Sequence, residues 1–298
     1  MTLLAAFLWG AGNVASKTVL TDLDPFATVA ARNLVGLLVL LPFAMQQFFA
    51  VGDRRVWFKS AMLPSLLFTA AILSQQWGFQ STSVTNASFL VSACSVLTPV
   101  MAYVFLRDRI GPMIGLAAAL TLFGAFLISG AHQSLARMNA GDIGCLVAAV
   151  FYAGWIVALS RHAVRHGQAL ATTCLHCAVT TATAFCILIV LSPKQPGNWT
   201  NGLPEVLYLG VFSTAVAFAL MAWAQERLSA STAAVLSAAE SLFGAGGGFL
   251  MLGERLGTSQ ALGAALILTA ILMAGLAVPS PARRSLEPKA SGADPAPR

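Results

Sequence analysis

Three ionisable residues stand within or at the edge of long apolar stretches: Lys17, Arg32 and Glu240. A charge placed in hydrocarbon is expensive, so such residues are functional candidates by default. Glu240 lies about eleven residues into its apolar run, or ~16 Å at 1.5 Å per residue. Carriers hold their cargo near that depth. A carboxylate there can shuttle a proton, contact a substrate charge, or serve as a structural hydrogen-bond node. Arg32 sits near the start of the second apolar run. It can take a carboxylate from a ligand or pair with an acidic residue of the protein. Lys17 falls near the end of the first run, where its long stem can snorkel to the interface.

Small polar side chains surround these charges in the sequence. Ser88, Ser92 and Ser95 follow i, i+4, i+7 spacing and share one helix face. Ser237, Glu240, Ser241 and Gly244 share another. Such stripes either line a polar pathway or let helices approach closely. Asn13, Gln76 and Gln225 are amides inside apolar runs and need partners there. Trp9, Trp77, Tyr152, Trp155 and Trp223 can stack an apolar or aromatic substrate, or act as interface anchors. The glycines at 244, 246, 247 and 248 read as a close helix crossing.

Other chemistries are poorly supplied. Cys174, His176 and Cys177 offer at most three ligands, and helical spacing turns His176 away from the two thiols. His162 and His166 are spaced i, i+4, but beside Arg161 and Arg165. Neither set reads as a metal site, and no cofactor is expected. A phosphate-binding Gly-Lys-Ser/Thr loop is missing, which argues against direct ATP drive. Glu240 is the only acidic residue well inside an apolar run, so the convergent acids and nucleophiles of an enzyme are not there.

The elements that must position these residues are membrane helices. Hydrophobic residues make up 57% of the 298 residues and charged residues only 9%, against about 25% charged in soluble domains. Lipid must solvate most of the surface. Runs near the roughly 20 residues needed to cross a bilayer fall at about 2–20, 25–45, 60–79, 84–106, 111–130, 142–160, 169–191, 204–225, 230–252 and 259–278. The expected fold is an all-α integral membrane protein of ten transmembrane helices. The net charge of +6 is not a nucleic-acid signal, because the basic residues fall between apolar runs. With ten spans, twelve Lys and Arg fall on the side of the termini, at loops such as Arg54-Arg55, Arg107 to Arg109 and Arg161 to Arg165, and three on the other side, at Arg137, Lys194 and Arg255. The positive-inside rule then puts both termini in the cytoplasm. The proline-rich segment 279–298 reads as a disordered cytoplasmic tail.

The chain also repeats itself. Residues 77–111 align without gaps to 223–257 at an offset of 146. Trp77 falls on Trp223, Ser83 on Ser229, Ser95 on Ser241, Arg109 on Arg255 and Gly111 on Gly257. A weaker match joins residues 3–15 to 145–158. Residues 1–130 and 141–278 thus read as two five-helix copies, joined by 131–140. An odd number of spans inverts the second copy in the membrane. Inverted repeats suit alternating access around a central site.

These segments resemble the EamA-type branch of the drug/metabolite transporter superfamily. The Trp9-Gly10 pair within 7–13, Pro25 followed by Arg32, the stretch Gln76 to Gln80, Ser83 to Leu90 and Leu97 to Val100 stand in the family's order. So do Ala222 to Gln225, Ser229 to Ala234, Leu252 to Leu256 and Leu262 to Ala265. Three positions depart: Asn33 for an aromatic, Glu240-Ser241 for Glu-Pro, and Arg107-Asp108-Arg109 for Gly-Glu-Arg. The resemblance implies a secondary carrier in a bacterial inner membrane. It would export small metabolites such as amino acids; the cycle would be facilitated or coupled to an ion gradient, for which Glu240 makes protons a candidate partner. It leaves the particular substrate and the oligomeric state open.

Overall fold

The computed structural model describes residues 1–107, 111–129, 138–191, 197–252 and 257–277. The tail 279–298, residues 131–137 of the connecting loop, and Asp108, Arg109, Arg137, Lys194, Glu254 and Arg255 lie outside them.

Every element among the described residues is helical. The helices are α1 (Thr2–Thr18), α2 (Pro25–Phe49), α3 (Arg54–Gly78), α4 (Val84–Ser92), α5 (Cys94–Leu106), α6 (Pro112–Ser129) and α7 (Ala140–His166). They continue as α8 (Ala169–Leu191), α9 (Trp199–Tyr208), α10 (Ala217–Gln225), α11 (Ala230–Ser237), α12 (Ala239–Leu252) and α13 (Thr258–Ala277). Among the described residues, eight helical segments are long and apolar enough to cross a membrane. Ten single runs were expected. The α6 run, over Pro112–Ile128, is shorter than those eight. The runs at 84–106 and 230–252 are each interrupted by a turn residue, at Ala93 and Ala238. At both points an N–H bonds three residues back, from Val96 to the Ala93 carbonyl and from Ser241 to that of Ala238. That local tightening is the 3₁₀ form, a frequent joint within longer helices.

Polar residues fix where helices start. Asp24 Oδ1 accepts from the Phe26 and Ala27 amides at 2.8 and 3.2 Å, with Pro25 in the first turn of α2. Both choices suit a helix N-terminus, where four amides lack partners. Asn139 and Asp142 form a reciprocal capping box on α7. Ser83 and Ser229, matched in the repeat, cap α4 and α11.

The helices pair in a regular scheme. α2 runs along α8, and α6 along α13. α3 runs along α7, while α1 packs on α9, α10 and the stretch between them. α1 crosses α12, while α7 crosses α4 and α5. Where α6 meets α13 the backbones nearly touch: a Cβ on Gly124 would sit 2.6 Å from the Gly263 carbonyl oxygen. Outward faces carry large apolar side chains such as Leu38, Phe105, Val190, Leu272 and Leu276, all more than half exposed. In water such a surface would aggregate, and in lipid it is at home.

The two ends of the bundle differ. One end gathers residues 21–25, 79–83, 139–142 and 197–199 and is tightly laced. Lys17 Nζ donates to the carbonyls of Phe79 and Thr82 at 2.6 and 2.9 Å. Lys17 thus ties down the end of α3, where the sequence suggested a side chain reaching for the interface. Thr82 Oγ1 and Asn86 Nδ2 both donate to Asp142 Oδ1, at 2.5 and 2.6 Å, and Asn139 Nδ2 donates to the Ser81 carbonyl. A Cβ on Gly78 would meet the Gly141 carbonyl oxygen at 2.7 Å. The other end holds a groove of about 1270 Å³ lined by Arg107, Arg161, Arg165, Glu226 and Arg227 among others. Burial raises the Glu226 carboxyl above its ordinary range, and Arg227 opposes that shift.

Candidate functional site

A cavity lies between the halves of the bundle. Its walls come equally from both. The first half contributes Trp9, Asn13 and Ser16 from α1, Arg32 from α2, Ile72 and Gln75 from α3, Val91 from α4 and Cys94 from α5. The second contributes Tyr152, Trp155 and Ile156 from α7, Phe218 and Met221 from α10, Ser213, Ser237 from α11 and Glu240 from α12. Four pairs of wall residues are separated by the 146-residue offset of the repeat: Ile72 and Phe218, Gln75 and Met221, Val91 and Ser237, Cys94 and Glu240.

The polar wall is organised by α1. Asn13 Nδ2 donates to Glu240 Oε1 at 2.5 Å and lies 3.2 Å from Ser88 Oγ. One turn along, Ser16 Oγ accepts from Arg32 Nη1 at 3.4 Å. Close approach of α1 to α12 makes this possible: a Cβ on Gly10 would sit 2.9 Å from the Glu240 carbonyl oxygen.

Arg32 is 5% exposed. Its Nε donates to Thr214 Oγ1 at 3.0 Å and its Nη2 to Ser213 Oγ at 3.1 Å. All its hydrogen-bond partners are neutral hydroxyls. The two reach it from a π-helical stretch, Leu209–Val216, between α9 and α10. The wider π turn shifts the phase of the side chains, and such bulges recur at functional sites. The same stretch offers its Ser213 carbonyl to Trp9 Nε1 at 3.0 Å.

Aromatic rings form the rest of the wall. Trp9 lies 4.9 Å from Phe218 by ring centroids, and Trp155 5.5 Å from Phe218. Tyr152 donates its hydroxyl to Gln75 Oε1 at 2.7 Å. Trp155 Nε1 donates to His176 Nε2 at 3.1 Å, and His176 Nδ1 meets Ser65 Oγ at 2.9 Å. Both ring nitrogens of His176 are thus engaged, away from Cys174 and Cys177. His162 is similarly held by Ser60 and Thr172.

The residues singled out in the sequence divide by place. Trp9, Asn13, Arg32, Tyr152, Trp155, Ser237 and Glu240 face the cavity. Ser88, Ser92 and Ser241 stand behind it: Ser92 and Ser241 join hydroxyls at 2.7 Å, bridging α4 and α12. Ser95 is buried with no hydrogen-bond partner. Gln76 Nε2 donates to the Ser16 carbonyl and Gln225 Nε2 to that of Ile156, so both amides brace helix contacts. Trp77 and Trp223 lie on the outer surface, 42% and 39% exposed. Sequence reading did not single out Ser16, Gln75, Ser213 and Thr214. Polarity inside apolar runs was the available signal, and the π turn displaces Ser213 and Thr214 from the face an α-helical wheel assigns.

A helical bundle with a lipid-facing exterior and a cavity between its halves fits a multi-pass membrane protein, and the comparisons give its class. The chain belongs to the EamA-like transporter family, whose pattern matches residues 1–130 and again 139–276. It is 28% identical over 282 residues to an uncharacterized transporter of Archaeoglobus fulgidus, covering 92% of this chain and 84% of that one. It is 25% identical over 281 residues to the WAT1-related protein At3g02690, chloroplastic, of Arabidopsis thaliana, covering 90% and 66%. A stretch of 174 residues is 25% identical to human solute carrier family 35 member G1, covering 54% and 47%. A crystal structure shares the fold, with a TM-score of 0.75 at 18% identity over 96% of this chain and 97% of that one.

Proposed function

We propose that this chain is a secondary carrier that exports small organic metabolites, amino acids or related compounds, by alternating access. The observation that carries the reading is the central cavity, built half from each sequence copy at positions paired by the repeat offset. Ten spans are arranged as two inverted five-helix repeats, 1–130 and 141–278, joined by 131–140. Two things support this arrangement. The helix contacts keep their pattern when each element is exchanged for its repeat mate: α3 on α7 corresponds to α10 on α1, α1 on α12 to α7 on α5, and α1 on α11 to α7 on α4. The family match also falls on the two halves separately. Both termini and the tail 279–298 lie in the cytoplasm of a bacterial inner-membrane protein, following the Lys and Arg distribution. The laced end then faces outward and the grooved end inward.

Glu240 is the cavity residue suited to couple transport to protons. One of its oxygens is held by Asn13. Its side chain lines the cavity. The test begins with cells with and without the protein, scored for metabolite excretion and resistance to toxic analogues. The transported compound is then followed into inverted vesicles with and without a proton gradient. We expect saturable counterflow, stimulation by the gradient, and loss of that stimulation in Glu240→Gln. Non-saturable flux would indicate a channel. Normal gradient dependence in Glu240→Gln would remove the coupling role.

A further inference from the structure

The guanidinium of Arg32 carries five N–H donors in a rigid plane. Three are used, on Thr214, Ser16 and Ser213, with one bond each from Nε, Nη1 and Nη2. Two remain, one on each terminal nitrogen. One N–H from each terminal nitrogen of a guanidinium can together match the two oxygens of a carboxylate. The group is nearly fully buried, lines the cavity, and has no carboxylate among its partners. A buried cation held only by neutral hydroxyls is incompletely compensated. Glu240 shares the cavity but makes no ion pair with it; the two hang from Ser16 and Asn13, one turn apart on α1. The hydroxyls hold the guanidinium in place but leave its charge unanswered.

We propose that Arg32 is the docking point for a carboxylate of the transported molecule, gripped by the two free N–H groups, with the apolar body of the molecule against Trp9, Trp155 and Phe218. Resting on the transport reading above, this assigns the cargo to carboxylic acids and makes Arg32 a specificity-determining residue. The π-helical stretch gains a purpose in this account: it brings two adjacent hydroxyls, Ser213 and Thr214, onto one guanidinium and so fixes the direction of its free edge.

The test is titration calorimetry on the full chain in lipid nanodiscs. The probes are phenylacetate, hexanoate and benzoate, each beside its neutral amide, and chloride alone. At least one acid should bind about tenfold or more tightly than its amide, the scale of a charge-assisted pair of hydrogen bonds. Arg32→Lys keeps the charge but lacks the fork, and should lose that preference. If no acid is preferred to its amide, or if Arg32→Lys keeps the preference, the proposal fails. It fails also if chloride binds at Arg32 and no acid displaces it. Should Arg32→Lys not fold, the acid-to-amide ratio of the unmodified protein decides. Counterflow of the preferred acid separates the two readings. Binding without counterflow removes transport and keeps the docking site; counterflow without acid preference does the reverse.

Discussion

At the scale of single residues, the cavity is a balance between groups that can meet a cargo and groups that hold them in place. Trp9 does both, since its ring lines the cavity and its Nε1 fixes the Ser213 carbonyl at 3.0 Å. Trp9→Phe keeps a ring but leaves that carbonyl without its donor. The expected cost is about 1–3 kcal/mol, the penalty of an unsatisfied buried acceptor, read as a lower unfolding midpoint in micelles. An unchanged midpoint would mean the contact does not hold the π stretch. Much of this wall was legible in the sequence, because a charge or amide inside an apolar run has few explanations: Glu240, Arg32 and Asn13 announce themselves. Their partners did not. Nothing in the spacing of Ser213 and Thr214 predicts a π turn, and Gln76 and Gln75 cannot be ranked without knowing how α3 is rotated. Trp77 and Trp223 match in the repeat, yet face outward, since a repeat pairs positions without saying which side they occupy.

At the scale of elements, composition decided helix existence and local chemistry decided where helices bend. Asp24-Pro25 and Asn139 with Asp142 are readable helix starts. The joints at Ala93 and Ala238 carry no breaker residue of their own, so the sequence read each as part of one uninterrupted span. Close crossings follow small residues. Gly124 and Gly263 are so near that each would drive a Cβ into the other's carbonyl oxygen. Gly124→Leu should therefore separate α6 from α13. Overpacking of this kind costs typically 1–3 kcal/mol, and denaturant titration of the purified protein should show a fall of about that size. Gly275, with open space around its missing side chain, is the control: Gly275→Ala should change little.

At the scale of the whole molecule, the account makes the two ends unequal while the two halves are alike. One end is laced by Lys17, Asp142 and the Gly78–Gly141 contact; the opposite end carries a broad groove. A carrier must be able to exchange these conditions, and the repeat supplies the means. The repeat was visible in the sequence because 77–111 and 223–257 kept their order of side chains. The packing partners of each copy were not visible, because they depend on contacts distant along the chain. The most direct measurement uses a single reactive cysteine at Val91 or at its repeat mate Ser237, in a background without the native cysteines. A membrane-impermeant maleimide is then applied from either side. With Ser81→Cys and Asn139→Cys, neighbours at the laced end, joined by a cross-link before the reporter is labelled, we predict labelling of the cavity from the grooved side alone; with the link absent, each side should reach it, and a bound carboxylate should protect it from both. Labelling from the laced side while the cross-link holds would contradict the alternating cavity on which the whole account rests.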